Sequence, residues 1–511
     1  MRYDVIVVGS GAGGSVVAAR LAEDSDRSVL LLEAGTDYPD SENLPFDIKY
    51  GHTRAAEAED SPHNWALRGT ITEEQGEIHV AQGKVIGGSS SINGQVFLRG
   101  LPEDFDNWAE MGNDEWSYVN VLPHFRKMET DHDIRDDFHG TDGPLPISRR
   151  HTGIWPAIQQ TFHAACLEAG FPTMEDMNSP NAAGVGPIPM NNQDGVRMST
   201  AVTYLNPVRH RLNLTVKGNV FVRRVLFNGT NVSGVEAESG GEIFTVDAGH
   251  VVLCAGALKS PHIMMLSGIG PKDQLDAYSV PVIHDAPGVG HNLWNHPIVP
   301  VSFRVKEDVT LASDASAVRI ALRYTVEGSN STGDMMLMTN SVFNPLTGEV
   351  LADRVGRISC ALELPHGCGF LKLASADPTV QPTFDYHYFQ NPNDMSRMRK
   401  AVRLAVKLLE SDAYQAISEG RISPTDEELS TDDKLDLWIR QNVGSARHVS
   451  GTTKMGPDSD PLASVDQHCR VKGVQGLWVA DSSVMPQVPR ANTHATAIMI
   501  GERVAEWVVE G

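Results

Sequence analysis

The 511-residue chain is poor in cysteine, with five in all: Cys166, Cys254, Cys360, Cys368 and Cys469. They are odd in number and scattered, and none forms a CxxC pair. That excludes a disulfide framework and reads as reduced, mostly structural thiols of a cytoplasmic protein. No uncharged apolar run reaches about 18 residues, which excludes a helical membrane span. Positive charge is in deficit, since 42 Lys and Arg face 65 Asp and Glu for a net −23. Nucleic acids and anionic membrane surfaces are therefore poor partners. There is no internal repeat and no long disordered linker. No signal peptide is expected either, because Met1-Arg2 leads straight into a strand-like run.

What remains is ordinary globular material, 41% apolar and 21% charged. The length calls for two domains or one large discontinuous one. The chain opens on an apolar run, Val5 to Val8, that enters Gly9-Ser10-Gly11-Ala12-Gly13-Gly14. A helical stretch over 15–23 and a second apolar run ending on Glu33 follow. Strand, glycine turn, helix, strand and acid come in the order a dinucleotide fold needs. Gly9 suits the tight turn, Gly11 lets the backbone approach a pyrophosphate, and Gly14 lets helix and strand pack closely. Glu33 is placed to accept the hydroxyls of an adenosine ribose, and an acid there argues against a 2′-phosphate. These residues alone leave NAD and FAD both open.

A second glycine and serine cluster runs from Gly83 to Gly100 and includes Gly87-Gly88-Ser89-Ser90 and Asn93-Gly94. Such a run brings backbone close to something flat or charged, or is a plain loop. Within 129–141, His132, Asp133, Asp136 and His139 look at first like metal ligands. They lack a repeating geometry, so a solvated loop and no metal are expected. Strand-like alternation around Asn228-Gly229 and the buried run Val251 to Gly256 continue the nucleotide-binding layer. Residues 300–440 differ, with strand-like runs and then a charged helix from Asp394 to about Leu409. A strand ending on Asp481 and a closing helix from Thr496 to about Val509 return to the first layer's pattern.

Several of these stretches resemble the glucose–methanol–choline family of flavin oxidoreductases. Gly83–Asp106 matches the family's first signature and Gly256–Gly270 its second. The likeness continues in Gly288-Val-Gly-His-Asn-Leu293, Gly451-Thr-Thr-Lys-Met-Gly456, Asp481-Ser-Ser-Val-Met-Pro486 and Asn492-Thr-His-Ala495. The branch nearest in pattern holds choline-dehydrogenase-like, hydroxymethylfurfural-oxidase and aryl-alcohol-oxidase enzymes. The resemblance implies an α/β (α+β) fold: a Rossmann-like, discontinuous FAD-binding domain with an interleaved sheet-and-helix substrate domain. On that reading 1–150, 191–299 and 446–511 bind FAD, while 151–190 and 300–445 roof the substrate.

The resemblance also implies roles. FAD contacts are expected from Gly9, Gly11, Ala12, Gly14, Glu33 and Ala34, then from Gly83, Gly88, Ser89, Asn93 and Gly94. Val222, Ala255, Gly256, Asp481, Ser482 and His494 complete the set. Ile92 stands where some members carry a flavin-linking histidine, so non-covalent FAD is expected. His448 falls at the family's catalytic histidine and His494 where a second histidine or an asparagine is kept. A histidine base suits alcohol deprotonation at neutral pH, and His494 is expected to hydrogen-bond the substrate oxygen. The activity implied is oxidation of a small-molecule alcohol, with dioxygen or a diffusible redox partner taking the electrons. A flavin-containing hydroxynitrile-lyase-type enzyme of the same fold is the alternative. Arg447, beside His448, either meets a polar or anionic substrate or forms a salt bridge.

Overall fold

The computed structural model describes residues 2–149, 155–311, 319–340 and 353–510. The first strand, β1 (Arg2–Val8), is buried on both faces from Val5 to Val8, as a central strand of a covered parallel sheet must be. It pairs in parallel with β2 (Val29–Leu32) on one side and with strand Glu242–Leu253 on the other. The connecting helix, α1 (Ala12–Leu21), supplies the crossover. Leu214–Lys217 extends the sheet beyond β2. An antiparallel meander, Phe221–Asn228 and Asn231–Ser239, extends the other edge. Strand Leu477–Val479 then adds in parallel to Val251–Leu253, so the end of the chain closes the sheet begun by its first residues.

The second seven-stranded sheet is antiparallel, ordered Ser418–Ser423, Pro297–Val305, Val355–Leu362, Met335–Asn340, Ile320–Tyr324 and Gly184–Pro187. Gly444–Ser445 pairs beside the first half of Pro297–Val305. Period-two alternation splits its faces. Val299, Val301, Phe303 and Val305 are buried, on the face that helices Ala157–Glu168 and Pro392–Leu409 cover. Ile298, Pro300 and Ser302 point the other way, into a cleft. No helix among the described residues is long and apolar enough to cross a membrane.

Three expectations are corrected. The charged helix begins at Pro392, with Asn391 accepting from the Asn393 amide at 3.0 Å; an asparagine cap before a first-turn proline is a sufficient start signal. The closing helix begins at Thr493 rather than Thr496. The segment 129–141 is not a solvated loop throughout, because Glu129, Asp131 and His139 are buried. Arg149 grips both oxygens of Asp131 at 2.9 and 2.7 Å and reaches Asp176 at 2.7 Å, and Arg99 pairs with Glu129. Ligand atoms of Glu129, Asp131 and His139 lie within 4.8 Å of one another, but the two guanidiniums already supply their countercharge. The boundary expected between 150 and 151 falls outside the described residues.

Candidate active site

A cavity of about 830 Å³ runs from the opening glycine turn to the inner face of the second sheet, near the top of the roughly 300–1,000 Å³ range of ligand pockets. Every residue named above as a cofactor contact lines it except Gly14. That glycine works from behind. A Cβ on Gly14 would sit 1.9 Å from the Gly9 carbonyl oxygen, so the turn closes only over glycine. Gly9 itself has φ +91°. The first turn of α1 is uncapped, since Gly11 offers no side chain, and its free N–H groups form a site for anionic phosphates.

The second glycine cluster lies directly on the first, with an imagined Cβ on Gly88 only 2.6 Å from the Gly11 Cα. The Gly87 amide donates to Ser10 Oγ at 3.1 Å. Ser10 in turn donates through its amide (2.9 Å) and hydroxyl (2.8 Å) to one oxygen of Glu33, while the Gly35 amide donates to the other at 2.9 Å. Glu33 therefore clamps the two loops. Three of its roughly four acceptor sites are used, which leaves room for a ligand hydroxyl. Burial raises its pKa, and the Ser10 and Gly35 hydrogen bonds oppose the rise.

Asp481 is likewise spent on the protein. It accepts from the Gly256 amide (2.8 Å), Ser260 Oγ (2.6 Å) and the Ser483 amide (2.8 Å). Its carboxylate joins the end of Glu242–Leu253 to the end of Leu477–Val479 and holds open the wall made by Ala255 and Gly256. Ser482 Oγ donates to the Val449 carbonyl at 2.9 Å and so ties that wall to the reacting end. Val222 lines the opposite wall beside a bulge in its strand. Lys259, missed in the sequence, also lines the cavity, with its ammonium 4.6 Å from the Trp65 ring centroid. Burial and neighbouring Lys84 bring its pKa down to about 8. The donor set fits a dinucleotide: an uncapped helix start, an acid with a spare acceptor site, and glycines at Gly94 and Gly256 whose missing Cβ atoms would meet nothing within 4 Å.

At the far end His448 is held by three residues. Its backbone amide donates to Asn295 Oδ1 at 2.8 Å, and that oxygen also accepts from the His296 amide at 2.9 Å. Its Nδ1 lies 2.8 Å from His296 Nδ1. Its Nε2 accepts from Asn492 Nδ2 at 2.9 Å. Burial and the adjacent imidazole lower its pKa to about 3, so the ring is neutral at neutral pH.

The structure thus sets Asn492, not His494, against His448. His494 lines the same cavity with its ring edge-on to Phe97, centroids 6.0 Å apart, and its Nε2 has no hydrogen-bond partner among the described residues. Burial takes its pKa to about 4. The signal for Asn492 was present, as that residue opens the Asn492-Thr-His-Ala495 motif. The sequence reading named His494, two residues further on and inside the helix that begins at Thr493. Arg447, at φ +66°, lines the cavity and pairs with Glu57, which also meets Arg54 at 3.3 Å. The salt-bridge reading of Arg447 is therefore met, in the cavity wall. Glu57 and Arg54 carried no sequence signal.

Two family models described as GMC oxidoreductase match residues 3–298 and 365–501. A GMC-type oxidoreductase of Rhodococcus erythropolis, itself uncharacterised, is 36% identical over 502 residues, covering 98% of this chain and 97% of that protein. An oxygen-dependent choline dehydrogenase of Photobacterium profundum is 33% identical over 532 residues, covering 99% and 93%. Among solved structures, pyridoxine 4-oxidase from Mesorbium loti superposes with TM-score 0.92 at 29% identity, covering 100% of this chain and 99% of that one. The fold and the sequence agree from end to end, and the chain belongs to the GMC oxidoreductase family of FAD-dependent alcohol oxidoreductases.

Proposed function

We propose that this protein oxidises the CH–OH group of a small-molecule alcohol to an aldehyde or ketone, with His448 as the base and non-covalently held FAD as the hydride acceptor. One observation carries the assignment of the base. Because Asn492 donates to His448 Nε2, that nitrogen is unprotonated, and both residues line the cavity, where a substrate hydroxyl would take the place of Asn492 at its lone pair. An alcohol releases hydride from carbon only as its hydroxyl proton leaves, and a positioned base contributes roughly 10²–10⁴-fold to such a step. The second Nδ2 hydrogen of Asn492 would then serve the substrate oxygen, and His494 offers an Nε2 with no hydrogen-bond partner among the described residues. FAD supplies the two-electron chemistry, while the chain sets distance and protonation.

Ile92, buried in the cavity wall at the position for a covalent link, supports non-covalent FAD. Acid precipitation should leave the flavin in the supernatant; flavin in the pellet would contradict it. We assign 1–150, 191–299 and 446–511 to the FAD unit and 151–190 and 300–445 to the substrate unit, following the two sheets. The free cysteines support a cytoplasmic location. Dioxygen or a diffusible redox partner accepts the electrons, and peroxide release under air identifies the first. The Arg447–Glu57 pair in the wall favours a polar substrate.

A lyase of this fold finds no support among the relatives named above. An anaerobic screen of aliphatic, aryl, sugar and choline-type alcohols tests the proposal. Bleaching of the bound flavin by at least one class is expected, and a flavin that stays oxidised with all of them would overturn it.

A further inference from the structure

Behind His448, on the side away from the cavity, lie two buried ionisable groups that the reaction above does not use. His296 has no exposed surface and Glu363 only 2%. His296 Nδ1 sits 2.8 Å from His448 Nδ1 and 3.6 Å from Glu363 Oε2. Glu363 Oε2 has no hydrogen-bond partner among the described residues, while the backbone carbonyls of Glu363 and Pro489 lie beside the His296 ring. An unpaired buried carboxylate is expensive unless it answers a charge, and among the described residues no Lys or Arg forms an ion pair with it. Its neighbours are Arg323, whose guanidinium donates instead to the Met177 and Arg490 carbonyls at 3.1 Å each, and the two imidazoles. On the cavity side Arg447 faces His448, with Glu57 and Arg54 beyond it.

The tautomers follow from these contacts. His448 Nε2 accepts from Asn492, so the neutral ring carries its proton on Nδ1 and donates it to His296 Nδ1. His296 then holds its own proton on Nε2. We propose that His296 and Glu363 are positioning residues that form a proton relay behind the base. The substrate hydroxyl takes the place of Asn492 at His448 Nε2 and gives it its proton, while bound FAD would take the hydride from the same substrate. The Nδ1 proton of His448 passes to His296 Nδ1, which leaves His448 neutral and His296 an imidazolium. That cation faces the Glu363 carboxylate. The set gains the one proton that the substrate loses, since it enters at Nε2 of His448, another leaves Nδ1 of His448, and the positive charge comes to rest on His296.

The electrostatics require such a device. Burial holds both histidines at a pKa of about 3, and Glu363 raises that of His448. A base so far depressed accepts a hydroxyl proton poorly unless a negative charge stands ready to answer it. Burial in turn pushes the Glu363 carboxyl up, and His448 and Arg323 oppose that. The relay rests on His448 being the base, and the two ideas are separable.

The test uses the flavin-loaded enzyme and its Glu363→Gln, His296→Asn and His448→Ala variants, each first checked for flavin content. Glu363→Gln keeps the shape and removes the charge. It should lower the plateau of kcat/KM about 10- to 100-fold and move its acid limb to lower pH, because the imidazolium loses its countercharge. KM should stay within about twofold, as Glu363 does not line the cavity. A downfield imidazole N–H resonance in the resting enzyme, from the bond between the two rings, should survive in Glu363→Gln and vanish in His296→Asn. An unmoved acid limb in Glu363→Gln would overturn the relay, even if the rate falls. If that variant is unaffected while His448→Ala fails to reduce flavin, only the relay is wrong. If His448→Ala reduces flavin at full speed, the base itself is wrong.

Discussion

Asn492 and His494 stand two positions apart, yet only the first touches His448. Asn492→Ala removes the donor that keeps His448 Nε2 deprotonated and should slow anaerobic flavin reduction by about 10- to 100-fold, within the usual scale of acid–base positioning. His494→Ala should cost less, and a larger loss there would exchange the two roles. The pH dependence belongs to the same atoms. Burial favours neutral imidazole and places His448 at about 3, below the ordinary value near 6.5. A base whose pKa is lowered stays active as pH falls, so kcat/KM should remain flat through neutral pH with its acid limb well below 6.5. A limb at the ordinary histidine value would contradict the burial seen here.

The turn after β1 sets two glycines against each other. A Cβ on Gly14 would strike the Gly9 carbonyl at 1.9 Å, while one on Gly11 would meet nothing nearer than the Cys254 carbonyl at 3.8 Å. Gly14→Ala should therefore lower the stability of the apoprotein. Gly11→Ala should leave it nearly unchanged and weaken FAD binding, measured as the dissociation constant by flavin fluorescence. This element was legible in the sequence, because its glycines, apolar runs and acid are local and each has one physical duty. The segment 129–141 was not. Nothing in its string of charges says that Arg99 and Arg149, from elsewhere in the chain, fold over Glu129 and Asp131 and allow them to be buried. Arg149→Leu would strand Asp131 without its partner and should destabilise by about 3–5 kcal/mol, read from the denaturation midpoint; a loss under about 1 kcal/mol would mean that the network is solvated.

Across the whole molecule the first and last stretches meet in one sheet, as Val251–Leu253 pairs with β1 on one side and Leu477–Val479 on the other. Residues within 8–34 and residues after 440 thereby line one cavity, together with residues within 81–96, 220–222 and 254–266. The motifs announced both ends. His296, Glu363, Glu57 and Arg54 were silent because isolated histidines and charges acquire meaning only when the fold brings them to the cavity or behind it. A cofactor that bridges both ends should bind the native state alone, so FAD at a hundred times its dissociation constant should stabilise by about 2.7 kcal/mol. An unchanged melting temperature on adding FAD to the apoprotein would contradict that bridge. The central claim is that the last stretch performs the chemistry through His448, and stopped-flow reduction of bound flavin by an alcohol without oxygen tests it most directly. His448→Ala should retain FAD and reduce it about 10²- to 10⁴-fold more slowly than the unaltered enzyme; reduction at the unaltered rate would contradict the account.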